Sequence, residues 1–155
     1  MIIALLIQYD GSAYHGWQIQ KDPETIQGHL ERALHKVLGQ QIGLVGSGRT
    51  DSGVHALGQV AHFEVETSGI PVGNLWKALN RELPDDIRLI ASTEANDKFH
   101  SRFAANQRGY LYQIATHLNV LHRHTQWHVR YPLDGSKLQQ LSSLIIGEHD
   151  FSSFC

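Results

Sequence analysis

A single cysteine stands in the 155 residues, Cys155 at the last position, so no disulfide can form within the chain. That scarcity fits a reducing, cytoplasmic setting. Long apolar runs are also missing, and no stretch is long enough to cross a bilayer. The most apolar segment, Met1 to Ile7, has no basic flank and is too short for a signal peptide. It reads instead as a buried strand, and no membrane partner is expected. Net charge is small, −2 from 13 basic and 15 acidic residues, and does not by itself point to nucleic acid.

One shortage is local. No Asp or Glu lies between Asp97 and Asp134. That interval holds Lys98, Arg102, Arg108, Arg123 and Arg130, five histidines, and the rings of Phe99, Phe103, Tyr110, Tyr112, Trp127 and Tyr131. A basic stretch interleaved with aromatics suits a surface that meets phosphates and stacked bases. The other reading is a solvated face over core aromatics.

What the chain does have is GSGRTDSGVHALGQVAHF, Gly46 to Phe63. It places Arg49 and Asp51 in a short loop among Gly46, Gly48 and Gly53, whose backbone freedom permits a tight turn and a close ligand. Leu57, Val60, Ala61 and Phe63 then read as a buried strand. An Arg–Asp pair on such a loop either presents a reactive carboxylate or forms a surface ion pair across a hairpin.

Periodicity orders the rest. Residues 2–9 are apolar at nearly every position, as in a strand covered on both faces. Ile26, Leu30, Leu34, Val37 and Leu38 predict a helix over residues 25–38, with Gly39 as its C-terminal cap. Short strands follow at 42–45 and 57–65. Pro71 starts a helix with Val72, Leu75, Ala78, Leu79 and Leu83 on one side, Pro84 stops it, and residues 87–93 form another strand. The order β-α-β-β-α-β is α+β and ferredoxin-like: an antiparallel sheet with two helices on one face and the other open to a ligand. Residues 1–100 make this first domain. Residues 101–155 begin a second, similar half, with a long strand over 108–116, a histidine-rich loop, and a helix over 135–146.

Several motifs resemble the tRNA pseudouridine synthase A family. GRTDSGVH is similar to its signature loop, and YDGSAYHGWQIQ (Tyr9 to Gln20) to its opening. NRELPDDI, FHSRFAANQRGYLY, YPLD and GEHDFSSF also fit, in the family's order and along the whole chain. The resemblance implies an N-terminal portion of a longer enzyme, a homodimer when full length, that isomerises uridine to pseudouridine in the anticodon stem-loop of tRNA. It implies Asp51 as the catalytic residue and Tyr110 as a ring stacked over the flipped base, its hydroxyl assisting the proton step at C5. Arg49, Arg102 and Arg108 are implied to contact RNA.

The chemistry suits those residue types. The bond from ribose C1′ to uracil N1 breaks, the ring turns, and C1′ rejoins at C5. Nothing is oxidised and no phosphoryl group moves, so no cofactor or metal is expected. A carboxylate serves as nucleophile or charge stabiliser, and Arg49 two residues away would keep it ionised by pairing with it. His55 is expected to hold the loop, and Tyr14, Trp17 and Gln18 either touch RNA or, for Trp17, cap the core.

Two other readings stay open. The sheet could bind RNA without catalysis, although the aromatic signature of RNA-recognition motifs is absent. His122, His124 and His128 in LHRHTQWH have a spacing that can supply three metal ligands.

Overall fold

A computed structural model describes residues 1–22 and 24–154; Cys155 lies outside them. The chain divides into two compact units, the first spanning Met1–Arg108 and the second beginning at Gly109.

The first unit is the expected α+β, ferredoxin-like arrangement. Its elements are β1 (Ile2–Tyr9), α1 (Ile26–Leu38), β2 (Val45–Gly46), β3 (Ala56–Glu64), α2 (Val72–Leu79) and β4 (Ile87–Ala95). The sheet order is β2-β3-β1-β4, and every neighbouring pair is antiparallel. Ile3, Leu5, Ile7 and Tyr9 of β1 are buried with Ile26, Leu30 and Leu34 of α1 and Leu75 and Leu79 of α2. The alternate residues Ile2, Ala4 and Leu6 are only half-buried. So β1 is not covered equally on both faces, as its continuous apolar run predicts. Both helices cover the same face, which is what right-handed crossovers impose.

Local chemistry fixes the element ends. Thr25 caps α1 by accepting from Gly28 N–H at 3.3 Å, and Gly39 closes it in the left-handed region at φ 69°. α2 stops at Leu79, well before Pro84. Asn80 ends it, with its side-chain amide donating to Leu89 O at 2.9 Å and its side-chain oxygen accepting from Leu89 N–H at 2.8 Å. Leu83 still reaches the core from the turn that follows. β2 is shorter and later than the expected strand over 42–45. The reason is side-chain capture: Glu31 accepts from Leu44 N–H at 2.9 Å and Gln27 donates to Leu44 O at 3.0 Å, so α1 satisfies the groups a ladder would otherwise use.

The register shifts at one level of the sheet. Opposite β1, an extra residue enters β3 before Gln59, and another enters β4 between Leu89 and Ala91. Such bulges re-aim side chains. Leu57, expected in the core, lies in the bulged stretch of β3 and is 80% exposed.

In the second unit, β5 (Ile114–Ala115) pairs in parallel with β6 (Trp127–His128), and α3 spans Gly135–Ser143. The long strand expected over 108–116 is thus reduced to two residues, because only those two meet a partner. Asp134 caps α3 by accepting from Lys137 N–H at 3.1 Å. α3 buries no residue, and Leu138, Leu141, Leu144 and Ile145 stand exposed. The helix expected to reach residue 146 therefore has no packing to extend it.

Stability in this 155-residue chain should follow that asymmetry. Leu5→Ala should cost about 2–5 kcal/mol in urea unfolding, whereas Leu141→Ala should stay within about 0.5 kcal/mol. Hydrogen exchange should show the amides of β1 protected longest and those of α3 shortest.

Candidate active-site loop

Asp51 sits between β2 and β3 on a loop held from both sides. Ser47 N–H donates to Val60 O at 2.8 Å, the last ladder bond before the chain leaves the sheet. The loop then rests on residues 9–17. Thr50 O accepts from Trp17 N–H at 3.0 Å, and the Thr50 hydroxyl lies 2.8 Å from the Tyr9 hydroxyl. Past Asp51, Ser52 Oγ and Gly53 N–H both donate to Tyr14 O, at 3.1 and 3.3 Å. His55 Nδ1 lies 3.2 Å from Gly11 N and 3.0 Å from Asp10 Oδ1. His55 thus joins the end of the loop to the opening segment, the holding role expected of it.

The glycines act differently from one another. Gly53 adopts φ 80°, a left-handed conformation that other residues resist. Gly46 does not need unusual angles. A Cβ there would fall 2.7 Å from the Trp17 indole, which is itself 1% exposed and has nowhere to go. Gly48 is neither left-handed nor crowded.

Trp17 and Tyr14 are core residues, so neither is free to touch RNA. Tyr14 donates its hydroxyl to Asp86 Oδ1 at 2.5 Å. Burial first, and then the Asp86 carboxylate, push its pKa well above the usual tyrosine range. Gln18 is occupied with Gln27 at 2.9 Å.

Among the described residues, neither the Asp51 carboxylate nor the Arg49 guanidinium makes a hydrogen bond or ion pair, and both are exposed. The expected Arg49–Asp51 pairing is therefore absent, in both its catalytic and its surface form. The loop is fixed through Thr50, Ser52 and Gly53, and those backbone anchors leave the two charged side chains facing water.

The other two arginines fall near the same strands. Arg108 donates to Ser47 O at 2.8 Å, and its Nε lies 3.8 Å from where a Cβ on Gly48 would be, so it flanks the start of the loop. Arg102 is exposed on the turn after β4. Ser101 anchors that turn: its hydroxyl donates to Val45 O at 2.8 Å, and its N–H donates to His62 Nδ1 at 3.2 Å. His62 is buried, edge-on to Phe99 and His100, and His100 stacks on the exposed Phe103 at 4.3 Å. Tyr110 belongs to the second unit and is 72% exposed, so it is not packed into a core. Among the described residues, no three His, Cys, Asp or Glu come together as a metal-ligand set, so His122, His124 and His128 do not assemble one.

Thr50, Tyr9, Ser101 and His62 are the residues that sequence reasoning missed. Thr50, Tyr9 and Ser101 stand within the GRTDSGVH, YDGSAYHGWQIQ and FHSRF motifs, and His62 is a polar residue inside an apolar strand.

Residues 5–104 match the tRNA pseudouridine synthase family. The chain is similar to tRNA pseudouridine synthase A of Acetivibrio thermocellus, 46% identical over 154 residues, covering 98% of the chain and 63% of that protein. It is 42% identical over 154 residues to the protein of the same name from Thermoanaerobacter sp., with the same coverage. For that of Bacillus licheniformis the identity is 46% over 154 residues, covering 96% of the chain and 62% of that protein. The chain thus spans somewhat under two thirds of the length of the curated relatives it matches.

Two measurements test the local structure. Gly46→Ala should destabilise the first unit by about 1–3 kcal/mol, from overpacking against Trp17, read by urea unfolding with Trp fluorescence. Burial first, and then His100, hold the His62 pKa below its usual value; burial first, and then Arg32, do the same for His29. The unfolded state therefore takes up protons more readily than the folded one below about pH 6.5, so that stability is lost as pH falls from there. His62→Gln should shrink the fall in Tm between pH 7 and pH 5; an undiminished fall would assign it to His29.

Proposed function

Because the chain belongs to the tRNA pseudouridine synthase family, we propose that it carries the catalytic loop of an enzyme that isomerises uridine to pseudouridine in the anticodon stem-loop of tRNA. Asp51 is the catalytic carboxylate. The observation that carries this assignment is its setting: an exposed carboxylate without a partner among the described residues, between Thr50 on one side and Ser52 and Gly53 on the other, which are hydrogen-bonded to residues 9–17. A surface Asp with only a structural role has no need of such mounting.

The reaction starts from a uridine already out of its stack, since the sugar and the base edge are otherwise shielded. The carboxylate attacks the nucleoside, at C1′ or at C6 of uracil. The C1′–N1 bond breaks, the base turns, C5 bonds to C1′, and the bond to the Asp51 carboxylate breaks so that the carboxylate leaves free. C5 then gives up its proton, and N1 finishes protonated, so atoms and charge balance without a redox partner. Tyr110 stacks on the extruded base and assists at C5; such stacking contributes about 1–3 kcal/mol. Arg49, Arg102 and Arg108 hold backbone phosphates. Arg108 uses one donor on Ser47 O and is exposed, so its guanidinium can meet a phosphate while staying fixed to the loop. No cofactor takes part. The working form is a cytoplasmic homodimer, with one tRNA touching both subunits.

The decisive experiment uses the intact protein and tRNA carrying 5-tritiated uridine. Asp51→Asn should lower tritium release by more than about 10³-fold, the scale of losing a group that acts in the chemical step. tRNA binding should persist. Near-normal release would remove Asp51 from its role, and binding without turnover in the wild type would mark a non-catalytic RNA-binding module. Separately, Ala at Arg49, Arg102 or Arg108 should each flatten the salt dependence of binding by ~1 in log–log slope for every phosphate that the arginine neutralises. Unchanged slopes in all three would move the RNA surface elsewhere.

A further inference from the structure

Asp51 is aimed by residues that do not touch it, and the tightest of these holds is on Thr50, the residue before it. Its carbonyl accepts from Trp17 N–H at 3.0 Å, and its hydroxyl bonds with the hydroxyl of Tyr9 at 2.8 Å. Tyr9 is itself fixed. It is the last residue of β1, 3% exposed, with its ring tilted against the Trp17 indole at a centroid distance of 6.0 Å. The β1–β3 register shifts just before it, so that Tyr9 faces Ala56 and not the residue an unbroken ladder would give. Thr50 thus meets one tyrosine–tryptophan unit twice, through main chain and side chain together.

We infer that the Tyr9–Thr50 hydroxyl pair is a positioning device for Asp51, setting the direction in which its carboxylate leaves the loop. The inference rests on the assignment of Asp51 as the catalytic group. A main-chain bond alone fixes where the Thr50 carbonyl lies. It leaves the Thr50–Asp51 peptide plane free to rotate about that one hydrogen bond. The hydroxyl bond adds a second fixed point at the same residue and restricts that rotation. On the far side, Ser52 and Gly53 are bound to Tyr14 O, and Asp51 O accepts from Val54 N–H at 3.2 Å. Among the described residues the carboxylate has no partner of its own to orient it, so its direction is inherited from these neighbours. A threonine suits this because its hydroxyl reaches sideways from the backbone to the Tyr9 ring edge. Serine carries the same group, and valine keeps the shape without it.

The test uses the intact protein, with kcat and KM measured by tritium release for Tyr9→Phe, Thr50→Val, the double variant, Thr50→Ser and Asp51→Asn. Tyr9→Phe and Thr50→Val should each lower kcat by about 10- to 100-fold, the range from one missing hydrogen bond to a misaimed reacting group. KM should change by less than about twofold, since Tyr9 is buried and the two hydroxyls are engaged with each other. The double variant should be no slower than the worse single variant, because both remove one bond. Thr50→Ser should recover most of the rate. Unchanged kcat in Tyr9→Phe, multiplied losses in the double variant, or a rise in KM alone would each overturn the inference. If Thr50→Val does not fold, Tyr9→Phe decides on its own, since it deletes a single oxygen. Asp51→Asn separates the two levels. If it stays active, the catalytic assignment fails; if it is inactive while Tyr9→Phe and Thr50→Val turn over normally, only the positioning inference fails.

Discussion

The indole of Trp17 lies directly beneath Gly46, and much of the first unit is arranged around that contact. Trp17 N–H reaches Thr50 O, and Trp17 O accepts from Gln27 N–H at 3.0 Å, so one residue links the opening segment, the Asp51 loop and the first turn of α1. Its ring also backs Tyr9. A large apolar side chain removed from water brings a strong driving force with it. Here that force draws a loop with little hydrophobic content of its own onto the end of the sheet. Without the ring, Ser47 to His55 would be tied down by hydrogen bonds alone, each weak in net terms against water.

A consequence is that the loop is anchored while the charges of Arg49 and Asp51 stay unpaired among the described residues. Arg49 and Asp51 are neighbours in sequence and both face solvent, yet they form no ion pair. Thr50, Ser52 and Gly53 hold the middle of the loop through uncharged contacts, while Arg108 on Ser47 O and His55 against Asp10 flank its two ends. Elsewhere ion pairs are present and ordinary, such as Arg32 of α1 with Glu24 just before it and Arg88 of β4 with Asp85 just before it. Those are exposed and contribute little to stability. The contrast between paired charges on the helical side and unpaired charges on the loop supports a ligand-facing role for Arg49 and Asp51.

The turn carrying Arg102 is held in the same way, by uncharged groups. Ser101 is buried, and its hydroxyl and N–H are engaged by Val45 O and His62. Since Val45 begins β2, the turn after β4 and the start of the Asp51 loop are fixed to one short strand. Arg108 reaches the loop from a further position along the same stretch. The basic, acid-free interval that begins after Asp97 therefore does border the loop with Asp51, in the part of it that belongs to the first unit.

The sequence by itself determined the kinds of elements and their order, because those depend on contacts within a few residues. Ile26, Leu30 and Leu34 repeat at the helical period, Thr25 and Gly39 suit its two caps, and the alternation of five more elements leaves the ferredoxin-like sheet as the natural closure. It also marked the loop around Asp51, through a local pattern of glycine and charge. Tertiary structure alone decided what holds that loop. The partners of Thr50, Ser52 and Ser101 lie 41, 38 and 39 residues away in the chain, and no periodicity reports a contact of that span. It also decided which polar neighbours pair. Adjacency made Arg49 and Asp51 look like partners, but backbone anchors on either side point both outward. Leu57 left the core for a comparable reason. A bulge is a property of two strands in register, and neither strand shows it alone.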